Sequence, residues 1–147
     1  MKYAVIDVGS NTVRLCVYDV LCPEKRKFKT IMNRKIMAGL AAYIVDGAFS
    51  DEGMAEAILA VKKCIKRASY LSPDRIDVFA TAVLRNISNS AQAIAAIEQG
   101  AGCSISLLSN ADEAHLGFVG ASSRGTLDDG ALIDIGGGST EITVIEN

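Results

Sequence analysis

Two short segments near opposite ends of the chain place an aspartate directly before a glycine turn. Asp7-Val8-Gly9 follows an apolar run, and Asp134-Ile135-Gly136 follows a second one at an offset of 127 residues. Apolar residues alternate in step in both segments, which predicts two β-hairpins that bury the same strand face. An Asp that ends a strand can hold a hydrated metal ion, and a glycine turn exposes backbone N–H groups that can bind an anion. The pattern indicates metal-assisted phosphate binding.

Each hairpin taken alone is also compatible with a tight glycine turn that binds no ligand. Gly tolerates the positive φ that aims successive N–H groups at one point, but it also occurs in ordinary turns. Hydroxyl groups that could add donors flank both turns, at Ser10, Thr12, Ser139 and Thr140. Because the Ile-Asp-apolar-Gly core occurs twice, we favour two loops that face each other and clamp a chain of phosphates.

The chain between the two hairpins alternates between helical and strand patterns. Ser50 is predicted to cap a helix, whose buried face repeats through Met54, Ile58, Val61, Ile65 and Ala68. The other predicted elements are strands at 3–7, 12–20, 28–37, 76–81 and 103–108, helices at 88–99 and from Ser109 or Asn110 to about Ser122, and a last hairpin at 131–145. Residues 38–49 are predicted to be a loop, and the polar segment 124–130 a boundary between two lobes. This order predicts an α/β fold with a mixed sheet covered by helices.

Composition limits the class of protein. The chain has 147 residues, half of them apolar, which predicts a packed globule with one sizeable core. The formal net charge of −2 argues against a dedicated nucleic-acid binder, and no apolar run reaches membrane-spanning length. The four cysteines lack a C-x-x-C pair, so we interpret them as reduced thiols of a cytoplasmic protein: Cys16, Cys22, Cys64 and Cys103.

A basic cluster follows the first hairpin. Its members are Lys25, Arg26, Lys27, Lys29, Arg34 and Lys35. A solvated strand pair is the interpretation that we favour for this cluster, and a surface that faces a polyanion is the alternative.

Four segments resemble the exopolyphosphatase/guanosine pentaphosphate phosphohydrolase (Ppx/GppA) family, and they occur in the family's order. They are Asp7-Val8-Gly9-Ser10-Asn11-Thr12-Val13-Arg14-Leu15, Ala80-Thr81-Ala82-Val83-Leu84-Arg85, Asp112-Glu113-Ala114 and Asp134-Ile135-Gly136-Gly137-Gly138-Ser139-Thr140-Glu141. That family belongs to the actin/sugar-kinase/Hsp70 superfamily. The resemblance implies a ribonuclease-H-like (actin-like ATPase) mixed sheet with helices on both faces. Residues 1–125 would form this first lobe, and residues 126–147 the first hairpin of a second lobe.

The resemblance also implies a role for individual residues. The first phosphate loop would consist of Gly9, Ser10 and Asn11, and the second of Gly136, Gly137, Gly138 and Ser139. A magnesium ion, or another divalent cation, would be surrounded by Asp7, Asp134 and Glu141. Arg85 would neutralise charge on the transferred phosphoryl group, as its guanidinium fork suits. Glu113 would be the general base for the attacking water, with Asp112 as the second candidate.

The helix that carries Glu113 has an unusually bare face. Gly117 and Gly120 fall on the same face as Glu113, one and two turns later. A ligand or a loop could therefore approach closely there, although an acidic residue in a first helical turn is also ordinary. His115 stands where the family often has Arg, and we interpret it as a surface or packing residue.

The resemblance implies a longer protein than this chain. Family members continue into a second lobe, whereas this sequence contains only one hairpin of it, whose unpaired edges proteins normally cover. We expect a fragment of a longer protein, or a hairpin that pairs with its own sheet or with a second copy in a homodimer.

The function that the resemblance implies is removal of the terminal phosphate from inorganic polyphosphate or guanosine pentaphosphate. A kinase or ATPase of the same superfamily is one alternative, and a non-catalytic module that binds guanosine tetraphosphate is another. The sequence does not separate polyphosphate from guanosine pentaphosphate as the substrate.

Overall fold

The structure is a computed structural model that describes residues 1–24, 27–123, 125 and 129–146. In this part of the chain the strands are β1 (Lys2–Val8), β2 (Thr12–Cys22), β3 (Lys27–Met37), β4 (Ile44–Val45), β5 (Ala48–Phe49), β6 (Arg75–Ala80), β7 (Ser106–Leu107), β8 (Gly130–Ile135) and β9 (Thr140–Ile145). The helices are α1 (Asp51–Ser69), α2 (Ala82–Arg85), α3 (Ser90–Ala101) and α4 (Asn110–Ser122), with a 3₁₀ turn at Leu40–Tyr43.

Among the described residues, one mixed sheet of five strands forms the centre of the molecule in the order β3-β2-β1-β6-β7. β1, β2 and β3 pair antiparallel, whereas β6 pairs parallel to β1 and β7 parallel to β6. A parallel pair needs a crossover connection: α1 lies in the connection that leads from β3 back to β6 beside β1, and α2 and α3 lie in the connection from β6 to β7. β8 and β9 pair with each other as a separate two-stranded sheet.

The strand pattern decides which face of the sheet becomes the core. Ala4, Ile6 and Val8 of β1 are buried, and their neighbours Val13, Leu15 and Val17 on β2 are buried with them. Helices α1 and α3 cover this face. α1 begins as predicted at Ser50, whose Oγ accepts a hydrogen bond of 3.2 Å from the Gly53 N–H. Its predicted apolar stripe faces the core.

The opposite face of the sheet is more open. The C-terminal half of α4 lies beside it, across a cavity that side chains of β2 and β3 also line. No residue of α4 is buried, and Ile133, Ile135 and Ile142 of the second hairpin are exposed. Helices thus lie on both faces, as predicted, but only one face is a closed core.

Several sequence predictions of local structure need correction. Residues 38–49 are not a loop: they form the 3₁₀ turn and the β4–β5 hairpin, because Leu40 and Phe49 are anchored in the core. Helix α2 was not predicted, since four residues are too few to show a period. α3 runs two residues further toward the carboxyl end than predicted, to Ala101, where Gly102 ends it with a positive φ of 69°. β7 is much shorter than the predicted strand.

The predicted boundary at 124–130 lies mostly outside the described residues. The division into lobes at residues 125 and 126 therefore stays a prediction. Among the described residues, no helix is both long and apolar enough to cross a membrane.

Candidate functional site

The two Asp-x-Gly hairpins have the same turn. The Gly9 N–H donates to the Thr12 carbonyl oxygen at 3.1 Å, and the Gly136 N–H donates to the Ser139 carbonyl oxygen at 2.9 Å. Asp7 faces Arg14 across its hairpin, just as Asp134 faces Glu141. Equivalent residues of the two hairpins lie 127 positions apart, as predicted. The backbone hydrogen bonds therefore confirm the internal repeat.

The two turns contact each other, and glycine is required where they meet. A Cβ at Gly137 would lie 2.8 Å from Asn11 Nδ2, and one at Gly138 would overlap the Ser10 hydroxyl. Ser10 is only 7% exposed as a result. A side chain at either glycine would push the turns apart, so Gly137 and Gly138 keep the two glycine turns in contact.

A cavity of about 600 Å³ lies where the loops meet. It is lined by nearly all the residues that the resemblance assigned to substrate or metal: Asp7, Gly9, Ser10, Asn11, Glu113, Asp134, Gly136, Gly137, Gly138, Ser139 and Glu141. The structure therefore gathers in one place groups that are up to 134 positions apart in sequence. Arg85 is the exception, because it lines an adjacent cavity of about 360 Å³ that shares Ser139 and Glu141 with the first.

Negative charge accumulates on the wall of the larger cavity. Burial raises the pKa of Asp7 first, and the nearby carboxylates of Glu113 and Asp134 raise it further, while Arg14 opposes them. A bound divalent cation would relieve this repulsion, so the donor set fits a hard metal ion such as Mg²⁺. Within the described residues, however, no three His, Cys, Asp or Glu side chains are grouped closely enough to hold a metal ion.

Arg85 connects α2 to the first turn of α4. Its Nη1 donates to the Leu108 carbonyl oxygen at 2.8 Å and to Glu113 Oε2 at 2.9 Å. The side chains of Arg85 and Glu113 are only 14% and 20% exposed. The remaining donors of the guanidinium, Nε and Nη2, are buried without a hydrogen-bond partner. An unmatched buried donor costs about 1–3 kcal/mol, which an oxyanion from a substrate could offset.

The two acidic residues of α4 have different surroundings. Asp112 forms a capping box with Ser109, whose hydroxyl donates to Asp112 Oδ2 at 2.6 Å. This hydrogen bond and one from the Ser109 backbone lower the pKa of Asp112, which is fully exposed. Glu113 instead faces the cavity. The geometry favours Glu113 over Asp112 as the residue that can reach a bound phosphate.

Arg14 and Lys35 also line the cavity, although the sequence analysis assigned them no role in the site. They occupy one row of the sheet, because Asp7 faces Arg14 and Arg14 faces Lys35 across neighbouring strands. The sequence does contain a signal for this row, because Arg14 is a basic residue close to the turn that follows Asp7. Placing Lys35 beside Arg14 required the register between β2 and β3. Lys35 thus separates from the predicted basic cluster, of which Lys25 and Arg26 lie outside the described residues.

Comparison with known proteins establishes the family. The chain matches the model of the Ppx/GppA phosphatase family over residues 22–147, and it belongs to this family. A solved exopolyphosphatase from Cytophaga hutchinsonii ATCC 33406 is 27% identical, with a TM-score of 0.87 over 98% of this chain and 46% of that one. The Aquifex aeolicus Ppx/GppA phosphatase, in its type II variant, is 22% identical, with a TM-score of 0.82 over 99% of this chain and 50% of that one.

These comparisons confirm the predicted family and the predicted actin-like α/β fold. The chain spans about half the length of the solved relatives it matches. A phosphohydrolase of this family is thereby supported as the general class, while the role of each site residue stays a prediction.

Proposed function

We propose that this chain forms the phosphate-binding side of the active-site cleft of a hydrolase. The hydrolase removes the terminal phosphate from inorganic polyphosphate or guanosine pentaphosphate. The observation that carries the proposal is the cavity in which two equivalent glycine turns meet beside Glu113. Residues of both turns line the place where a phosphate chain would bind, and backbone N–H groups of a glycine turn can bind an anion. The net charge of −2 is no obstacle, because backbone dipoles and a metal ion can hold the anion.

Glu113 acts as the general base in the proposed reaction. It accepts a proton from water as the water oxygen forms its bond to the terminal phosphorus. The bond from that phosphorus to its bridging oxygen breaks, and the shortened chain leaves with the electron pair. Arg85, with two unmatched donors beside Glu113, stabilises the charge on the transferred phosphoryl group. Asp7, Asp134 and Glu141 would surround Mg²⁺, with water and phosphate oxygens as its other ligands because these carboxylates are not grouped closely enough to hold it by themselves. The ion would supply charge neutralisation at the phosphate oxygens.

Turnover in this proposal takes place in the whole two-walled cleft. The solved relatives are about twice as long as the aligned region, so activity belongs to the protein in its full natural length. The proposed compartment is the cytoplasm, because Cys16, Cys22, Cys64 and Cys103 are free thiols.

The proposal is tested by replacing Glu113 with its uncharged isostere. Glu113→Gln should lower the kcat of phosphate release from polyphosphate and guanosine pentaphosphate by about 10²–10⁴-fold, because a general base contributes that much. Binding of both substrates should change much less. Release would be followed with a phosphate-detecting dye on the full-length protein.

Glu52→Gln is the matched control, since it makes the same change in the first turn of another helix, α1. Glu52 is exposed and does not line the cavity, so phosphate release should remain near the unmodified rate. Equal losses in the two variants, or normal release in Glu113→Gln, would contradict the assignment of Glu113 as the base.

A further inference from the structure

The backbone of the first phosphate loop is hydrogen-bonded to the segment that follows β3. The Asn11 carbonyl oxygen accepts two hydrogen bonds, at 3.2 Å and 3.0 Å, and the Ser10 carbonyl oxygen accepts one at 2.9 Å. The donors are, in that order, the backbone N–H groups of Ala38, Gly39 and Ala41. We call residues 38–41 the supporting segment, because its N–H groups occupy the carbonyl oxygens of both loop residues.

These hydrogen bonds fix which groups of the loop are left for a ligand. A carbonyl oxygen carries partial negative charge and would repel a phosphate, whereas backbone N–H groups attract it. With both carbonyl oxygens bonded to the supporting segment, the side chains of Ser10 and Asn11 contact the second loop at Gly138 and Gly137. The first phosphate loop is thus held on two sides, through its carbonyl groups and through its side chains.

The second phosphate loop has no equivalent support in the described part of the chain. By the offset of 127 residues, Gly137 and Gly138 are the equivalents of Ser10 and Asn11. Among the described backbone hydrogen bonds outside the helices and sheets, none is accepted by the carbonyl oxygen of either glycine. Both hairpins nevertheless have the same turn. The supporting segment is therefore an addition to the first hairpin and not a requirement of the turn.

Gly39 has the backbone conformation that brings the supporting segment against the loop. Its φ of 58° and ψ of 35° lie in the left-handed region, which glycine adopts without strain. A Cβ built at Gly39 meets no atom within 4 Å, so glycine is favoured here by backbone conformation and not by lack of space. The next residue, Leu40, is fully buried in the core, and the 3₁₀ turn contacts α1.

We propose that the supporting segment positions the first phosphate loop for ligand binding, and that Gly39 is the positioning residue. Leu40 fixes the segment to the core, and the left-handed backbone at Gly39 directs its N–H groups at the loop carbonyl oxygens. None of residues 38–41 lines the phosphate cavity, so Gly39 acts through Ser10 and Asn11 and not by touching the ligand. The inference rests on the proposed function in one respect, namely that this loop binds phosphate.

The first test is Gly39→Ala in the full-length protein. The added methyl group meets no neighbour, but alanine is disfavoured in the left-handed region, so the supported form of the loop becomes less populated. Apparent affinity falls with the populated fraction of the binding-competent form. We expect the KM for polyphosphate to rise about fivefold. The kcat should stay within about twofold, because the loop binds phosphate in the ground state and the transition state alike.

Binding is measured separately from turnover by calorimetry with inorganic tripolyphosphate in the Glu113→Gln background. Gly39→Ala should raise its Kd by about the same factor as the KM. Gly39→Asn is the conservative variant, because Asn is the residue besides glycine that most readily adopts the left-handed conformation. It should restore most of the affinity, although it adds a larger side chain than Ala does.

Gly102→Ala is the matched control for loss of stability. Gly102 ends α3 with a φ of 69°, and a Cβ there also meets no atom within 4 Å. The substitution therefore introduces the same kind of strain, but Gly102 does not line the phosphate cavity. Gly39→Ala and Gly102→Ala should lower the Tm to a similar extent, whereas only Gly39→Ala should change KM and Kd.

A ligand-free measurement tests the hydrogen bonds themselves. Amide hydrogen exchange followed by NMR should be slow at Ala41 in the unmodified protein, because its N–H donates to Ser10. Exchange at Ala41 should become faster in Gly39→Ala and should be unchanged in Gly102→Ala. Equal exchange at Ala41 in all three proteins would overturn the positioning role.

The outcomes distinguish this inference from the proposed function. If the unmodified protein binds tripolyphosphate but Gly39→Ala and Gly102→Ala have the same KM and Kd, the positioning role is overturned and the phosphate cavity stands. Failure of Gly39→Asn to restore affinity overturns it as well. If the unmodified protein binds no tripolyphosphate and releases no phosphate, the proposed function fails, and the positioning role fails with it.

Discussion

At the scale of single residues, the guanidinium of Arg85 links the end of β7 to Glu113 in the candidate site. One nitrogen bridges the Leu108 carbonyl oxygen and Glu113, while two others are buried and unmatched. A planar guanidinium can bind the Glu113 carboxylate and a phosphate oxygen at once. A Lys ammonium has the same charge but lacks the fixed directions of the guanidinium N–H donors. Replacing Arg85 with Lys therefore separates the contribution of donor geometry from that of charge.

We expect Arg85→Lys to lower kcat for phosphate release by about 10²–10³-fold, the usual effect of removing one transition-state donor, with a small change in KM. Steady-state kinetics on the full-length protein measure this. Arg75→Lys is the control, because the Arg75–Asp77 pair is exposed and such pairs contribute about 0–1 kcal/mol. A normal kcat in Arg85→Lys would show that charge alone suffices.

At the scale of elements, α4 positions Glu113, the proposed base, while contributing little to the core. Its capping box at Ser109 and Asp112 fixes where the helix begins, and Glu113 follows one residue later. The second hairpin contacts this helix near Gly117, where a Cβ would lie 3.7 Å from Asp134 Oδ2. This is an ordinary van der Waals distance, so the contact does not require glycine.

We expect Ser109→Ala to cost about 0.5–2 kcal/mol, the usual loss for an N-cap hydroxyl. Because no residue of α4 is buried, much of this loss should appear as fraying of α4 rather than as global unfolding. In Ser109→Ala, amide hydrogen exchange at 110–116 should become faster than in the unmodified protein, and it should change less in α1. Ser109→Asp should restore protection, whereas unchanged exchange in Ser109→Ala would contradict a role of the cap.

At the scale of the whole molecule, the second hairpin is held mainly by contacts to α4 and the first loop. Its apolar side chains are exposed on β8 and β9, and the solved relatives have about as much chain again. The expectation that these side chains are covered by further chain or by a second copy stays a prediction. A ligand that bridges both loops should stabilise their contact.

We expect Mg²⁺ and tripolyphosphate together to raise the Tm of the full-length protein more than the sum of their separate effects. Mg²⁺ usually keeps several waters and binds one or two carboxylates plus substrate phosphates, so each ligand completes the site of the other. At 100 times Kd the stabilisation is about 2.7 kcal/mol. Scanning fluorimetry with and without EDTA measures it, and Asp134→Asn should reduce the synergy. Equal shifts in EDTA would contradict a metal site.

The sequence by itself determined the repeat, the mixed sheet, the main helices and most of the site. These features have local signals: an aspartate before a glycine turn, a two-residue period in strands, a capping serine at Ser50 and again at Ser109. The residues of the two loops could be named because strand, turn and return fit within nine consecutive positions. Their roles came from the family resemblance.

Only the tertiary structure decided which distant groups meet. The contact of Gly138 with Ser10, the bond from Arg85 to Glu113 and the row from Asp7 through Arg14 to Lys35 all join separate elements. The bulge at Ile31 changes the face of every residue before it on β3, and a single-residue shift leaves no periodic signal. Local patterns fix what each segment can form, whereas register and packing fix which side chains share a cavity.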